Sequence, residues 1–206
     1  MPVKIVVIDY GMGNLRSIRN KFMHMGIPAV ISFERSEIEN ADKLILPGVG
    51  HFSTAMNNLR QLNLIELLND KVLCQKTPIL GICLGMQLLA KSSEEGFCEG
   101  LGWIDASVKR FSVSDTQKFK IPHIGWNSVD IKKKTLLFSN IQEDSFFYFV
   151  HSYYMVCHSS EDVLTTSVYD YEFASSVQKE NIFGTQFHPE KSFEQGELML
   201  KNFAMI

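Results

Sequence analysis

No apolar run in this chain approaches the roughly 20 residues needed to cross a bilayer as a helix. The opening residues, MPVKIVVIDYG, lack the order of basic stretch, apolar stretch and small-residue cleavage site that marks a secretory signal. They read instead as a first core strand. Cysteine is sparse: Cys74, Cys83, Cys98 and Cys157 lie far apart and form no C-x-x-C pair. That is too few for a disulfide scaffold and wrongly spaced for zinc, so no metal and no cofactor is expected, and a reducing, cytoplasmic location is. A formal charge of -3 gives no electrostatic reason to expect nucleic acid or an anionic membrane as a partner. Repeats, low-complexity tracts and linkers are missing too, which points to a single domain over residues 1–206.

What is present is a sizeable core. With 206 residues and 45% hydrophobic composition, the chain can bury one. Its first half alternates strands and helices. KIVVID is a near-continuous apolar strand, followed by a helix from about Asn14 to Met25; PAVISF and DKLILP are further strands, with helical patterns between Ser53 and Leu73. PILGIC is the next strand, and its helix begins at Leu84. Apolar strands between helices imply a parallel sheet covered on both faces. The second half changes character. ASVKRF, HIGWNSVDI, FFYFVHSYY, VLTTSVY, FASSVQ and IFGTQF read as strands with few helices between them, before a closing helix at EQGELMLKNF. The expected fold is α/β, a mostly parallel mixed sheet flanked by helices with an antiparallel extension in the second half. Ligands of such sheets sit beyond the carboxyl ends of the strands.

Cys83 stands at such an end. GICLG has the spacing of the nucleophile elbow G-x-S-x-G with sulfur in place of oxygen. Glycines flank a nucleophile there because the turn brings backbone segments close and strains the central dihedrals. The helix N-terminus that follows favours a thiolate. The alternative is a buried cysteine acting as a small hydrophobe. A nucleophile needs a base, and His188 in GTQFHPEKS follows an apolar strand where Pro189 keeps it out of the α region. Glu190, two residues on, falls on the same side in extended backbone and can hold and charge the imidazole. Oxyanion donors are available from the N–H of Leu84 by elbow geometry and from LPGVG, whose Pro47, Gly48, Val49 and Gly50 end another strand. DYGMGNLRS imitates a dinucleotide fingerprint, with Gly11 and Gly13 after a strand and Glu34 at a plausible distance, but Arg16 replaces the third glycine. KKK at 132–134 reads as a solvated turn.

Cys83 in G-x-C-x-G, His188 and Glu190 in H-P-E, and P-G-V-G upstream together resemble the class I (triad) glutamine amidotransferases, across the whole chain. The words DYGMGNLRS, LPGVGHF, GICLGMQLL, PHIGWN, FVHSYY and QFHPEKS are similar to one branch of that family, the glutaminase subunits of imidazole glycerol phosphate synthase. The resemblance implies a Cys83–His188–Glu190 triad that hydrolyses glutamine to glutamate and ammonia, with Val49 or Gly50 and Leu84 holding the oxyanion. It also implies substrate contacts from Gly50, Gln87, Ser152 and Tyr153. The implied partner is a separate (β/α)8 barrel cyclase in a heterodimer, which uses the ammonia in histidine biosynthesis, with Asn14, His123, Trp126 and Lys191 at the contact. Other readings keep the fold: a paralogue serving a different synthase, a γ-glutamyl hydrolase or cysteine peptidase, or a scaffold without activity.

Overall fold

The computed structural model describes residues 3–206. Its main sheet has eight strands: β1 (Ile5–Ile8), β2 (Ala29–Ser32), β3 (Lys43–Gly48), β4 (Ile79–Cys83), β9 (Asp130–Ile131), β12 (Val163–Tyr169), β13 (Tyr171–Lys179) and β14 (Ile182–Thr185). The spatial order is β2-β1-β3-β4-β14-β13-β12-β9. The first five in that order run parallel and the last three antiparallel, the mixed sheet anticipated above.

The parallel strands are apolar on both faces because both are covered. Alternate residues of β1 divide between two cores, Val6 and Ile8 on one side and Ile5 and Val7 on the other. The first core is closed by α3 (Phe52–Gln61) and α4 (Leu64–Asn69), through Phe52, Met56, Leu59, Leu64 and Leu68. The second is closed by α1 (Leu15–His24) and α6 (Phe193–Met205), through Ile18, Phe22, Met199, Leu200 and Phe203. A short helix α2 (Arg35–Glu39), which no strong periodicity announces, leads into β3.

The second half departs from expectation. The two long runs HIGWNSVDI and FFYFVHSYY each divide. β8 (His123–Ser128) pairs with β10 (Phe146–His151) as a two-stranded sheet, while β9 joins the main sheet. β11 (Tyr153–Cys157) pairs with β7 (Ala106–Arg110), which with β5 (Ser92–Ser93) and β6 (Cys98–Glu99) makes a separate four-stranded sheet. The second break, at Ser152, leaves His151, Ser152 and Tyr153 lining one cavity with Gly50 and Cys83, at the ends of β3 and β4, rather than prolonging one flat sheet.

Candidate active site

The tightest turn lies between β4 and α5 (Leu84–Leu88). Cys83 holds φ 55 and ψ -109, a conformation that costs a side-chain-bearing residue of order 1–3 kcal/mol. The glycines around it permit close packing. A Cβ on Gly85 would overlap the Leu46 carbonyl oxygen, and one on Gly81 would meet the Gly85 carbonyl at 2.7 Å. Helix α5 therefore rests directly on the backbone of β3, and Gly48 at the end of β3 is register partner to Cys83. This places the loop Gly48–Gly50 beside the thiol, with Gly50 at φ +121.

His188 reaches the same place from the end of β14. Its Nδ1 lies 2.9 Å from Glu190 Oε1, and both side chains are buried. The contact forms as the sequence led one to expect, by a different route: Pro189–Lys191 make a 3₁₀ turn rather than continued extended backbone. Ser192 fixes the turn, donating from Oγ to the His188 carbonyl at 2.6 Å and accepting from the Tyr148 N–H at 3.0 Å. The other ring nitrogen, Nε2, has no hydrogen-bond partner among the described residues. Burial alone lowers the His188 pKa, but adjacent Cys83 and then Glu190 outweigh it and raise the value to about 10. The thiol, imidazole and carboxylate are thus brought together.

Beside Cys83 opens a cavity of about 280 Å³ lined in part by Val49, Gly50, Leu84, Gln87, Ser152 and Tyr153. Each residue expected to bind glutamine or its oxyanion borders it. Gln87 donates from Nε2 to the Tyr153 carbonyl at 2.9 Å and to Gln186 Oε1 at 3.0 Å. Both of its N–H groups are used, leaving Oε1 for a ligand. Three further groups at the site escaped the sequence reading. Glu95, the cavity's one carboxylate among the described lining residues, accepts from the Phe52 N–H at 2.8 Å. His151 lines the wall, and Gln186 lies behind the thiol with Nε2 3.7 Å from Cys83 Sγ.

The buried histidines His123 and His151 have assigned tautomers. His151 Nδ1 faces the Tyr153 carbonyl at 2.8 Å; a carbonyl only accepts, so Nδ1 carries the proton. His151 Nε2 must then accept from His123 Nδ1 at 3.1 Å. Burial lowers the pKa of His123 to about 4, and burial, with smaller contributions from neighbouring charges, lowers that of His151 to about 3. Unfolded, both would titrate near 6.5. Between pH 6.5 and about 4 the unfolded chain therefore binds more protons, and stability falls as the pH drops through that window. Urea unfolding midpoints are expected to be lower at about pH 5 than at about pH 7; equal midpoints would refute the neutral pair.

Of the four residues expected at a partner contact, Asn14, Trp126 and Lys191 are exposed. Trp126 stacks on exposed Phe193 with ring centroids 4.9 Å apart, and Lys191 Nζ sits 5.5 Å from the Tyr148 ring centroid. His123 requires correction. Its ring is buried, stacked 4.0 Å from that of Tyr169, so its side chain is part of the interior and not of that surface. The dinucleotide reading also fails sterically: Gly13 packs against Pro47 and Gly48, so protein backbone fills the space beside the turn.

The family model described as "Glutamine amidotransferase class-I" matches residues 6–206. The chain belongs to this family. Among its relatives, imidazole glycerol phosphate synthase subunit HisH 2 of Methanococcus maripaludis is 52% identical, covering 97% of this chain and 98% of that one. The protein of the same name from Pseudomonas aeruginosa is 47% identical, covering 98% and 99%. In fold, this class I amidotransferase is similar to PurLQS from Thermotoga maritima, with a TM-score of 0.72 at 17% identity over 98% of both chains. A second structure, a glutamine amidotransferase from the same organism, gives 0.64 at 20% identity over 92% of this chain and 77% of that one. No helix among the described residues is long and apolar enough to cross a membrane.

Proposed function

We propose that this chain is the glutaminase subunit of an imidazole glycerol phosphate synthase, a cytoplasmic single-domain protein in histidine biosynthesis that passes ammonia to a separate (β/α)8 barrel cyclase. The observation that carries the reading is the strained Cys83 turn, lining a cavity sized for an amino acid and backed by the buried His188–Glu190 pair. The full-length similarity to HisH proteins supports the choice of pathway.

The residues divide the reaction between them. Cys83 attacks the carboxamide carbon of glutamine as the thiolate. Backbone N–H groups of Leu84 and of Val49 or Gly50 receive the developing oxyanion. His188 gives its Nε2 proton to the departing ammonia, then takes one from the water that attacks the thioester and frees glutamate. Glu190 holds His188 by Nδ1 and keeps it charged. Gln87 Oε1, Gly50, Ser152 and Tyr153 hold the amino-acid end, and Glu95 faces its ammonium. No step draws on a cofactor. Ammonia released into neutral water becomes ammonium, which is no nucleophile, so its consumer must dock over the site.

Glu95→Gln removes a charge from the cavity without changing its shape. A charge-assisted hydrogen bond contributes about 1.5–3 kcal/mol, so KM for glutamine is expected to rise at least about 10-fold with a smaller change in kcat. An unchanged KM would remove Glu95 from the substrate contacts. The exposed Trp126–Phe193 stack offers the kind of aromatic anchor that dominates interfaces, and Lys191 lies nearby with its Nζ 5.5 Å from the Tyr148 ring centroid. Trp126→Ala with Lys191→Ala is expected to weaken cyclase binding by at least about 30-fold, corresponding to a hot-spot loss of about 2 kcal/mol. Unchanged affinity would place the interface elsewhere.

The function itself is tested by measuring glutamine hydrolysis with and without the cyclase subunit. Partner-dependent hydrolysis supports it; hydrolysis of γ-glutamyl peptides in preference to glutamine would support a peptidase instead. Both relatives named above carry the number 2 in their names, and the reading as a paralogue serving another synthase is separated by identifying the chain that co-purifies.

A further inference from the structure

Gln186 lies in the strand word GTQF, one place before Phe187, and its side chain is fully buried beside the nucleophile. We infer that Gln186 is a further catalytic residue, whose side-chain N–H donates a hydrogen bond to the Cys83 sulfur and holds it as a thiolate ready for attack. The inference rests on the reading of Cys83 as nucleophile.

The orientation of the amide follows from a chain of partners. The Tyr153 carbonyl can only accept, so the Gln87 atom 2.9 Å from it is the amide nitrogen. That nitrogen also lies 3.0 Å from Gln186, whose facing atom must then be the acceptor Oε1. The Gln186 NH₂ is thereby turned the other way, onto the sulfur at 3.7 Å. Flipping Gln186 would set two NH₂ groups against each other in a fully buried place, and flipping Gln87 would set its oxygen against the Tyr153 carbonyl. One carbonyl on β11 thus orients two amides and delivers a donor to the thiol.

A thiolate in this position needs that donor. Cys83 is 6% exposed, so the little water that reaches it from the cavity solvates the anion poorly. Its neighbours are unequal: the Val150 carbonyl oxygen, 3.8 Å away, accepts from a thiol and repels a thiolate. Tyr10, whose pKa burial raises far above the ordinary range, keeps its proton and donates it to the Pro47 carbonyl. His188 faces the sulfur from the end of β14, with Glu190 behind it and neutral His151 near its ring. His188 must turn its Nε2 proton toward ammonia during the reaction, whereas the Gln186 N–H stays in place throughout. It also receives the sulfur again when water cleaves the thioester. No proton leaves Gln186 in either half-reaction.

The test uses alkylation of Cys83 by iodoacetamide across pH in the intact chain, with adduct formation read by peptide mass, beside glutamine kinetics of the complex with its synthase. Gln186→Met keeps the volume and removes the donor. Its half-maximal alkylation is expected about one pH unit higher than in the parent, and kcat/KM about 10-fold lower, the effect of losing one hydrogen bond to a charged group. Gln87→Met frees the Gln186 amide to turn and is expected to move the profile the same way by less. A cooperatively melting Gln186→Met with the parental alkylation profile overturns the inference, even if its KM rises. Should Gln186→Met not fold, an unshifted profile in Gln87→Met overturns it. Failure of the nucleophile reading would look different: the parent chain alkylated at Cys83 would still hydrolyse glutamine.

Discussion

Glu190→Gln is expected to lower kcat for glutamine hydrolysis by about 10³–10⁴-fold while leaving the fold in place, as removing the anionic orienter of a triad histidine does in serine hydrolases. The buried carboxylate accepts from His188 Nδ1 at 2.9 Å, which leaves Nε2 to exchange the proton with sulfur, ammonia and water. A glutamine amide fits the same space but carries no charge, and it can present NH₂ to the ring. His188 then keeps its proton on Nε2 in the neutral form, and the wrong nitrogen is bare. The same change removes one of the two influences that raise the His188 pKa against burial. The protonated imidazole should therefore be lost at lower pH, and an NMR titration of the His188 ring should show that shift. A variant within 10-fold of the parent kcat would mean that His188 is not positioned by Glu190.

The second large effect falls on folding. Gly85→Ala is expected to destabilise the protein by at least about 3 kcal/mol, and to yield little folded chain at 37 °C. The added methyl would clash with the Leu46 carbonyl oxygen, an atom fixed within the sheet, and not with a side chain that could move aside. Relief requires α5 to lift from β3. That motion would also pull Leu84 away from the Gly48–Gly50 loop, so any folded fraction should lose hydrolysis as well. Gly26→Ala is the control: a Cβ there meets nothing within 4 Å, although its φ of +72 adds modest strain. Thermal melting distinguishes the two, and a Gly85→Ala chain melting like the Gly26→Ala chain would contradict the packing described.

Much of this is legible in the amino-acid sequence. Apolar runs such as KLILP and PILGIC have no polar face to offer water, so they had to be central strands covered on both sides. The elbow at Cys83 was legible because its glycine spacing encodes a local steric demand. His188 and Glu190 were legible because they stand only two positions apart, with Pro189 between them. What escaped depends on contacts between distant parts of the chain. Gln186 reads as an ordinary strand residue until β4 places the thiol beside it, and Glu95 gains meaning only when its loop packs on the start of α3. The breaks at Val129 and Ser152 carry no glycine or proline signal; pairing partners decide them. His123 was a different matter, since the information was there. Residues three apart on a strand point to opposite faces, so His123 and Trp126 could not both face a partner, and it is Trp126 that is exposed.

The central claim is that one sulfur, activated by His188 and Glu190, forms a covalent acyl species with glutamine. Its most direct test is to treat the complex with a glutamine-like electrophile and map the adduct by peptide mass. A single adduct on Cys83, formed in proportion to lost hydrolysis and absent in Glu190→Gln over the same interval, is the expected result. Full inactivation with the adduct on Cys74, Cys98 or Cys157, or with no adduct at all, would contradict it.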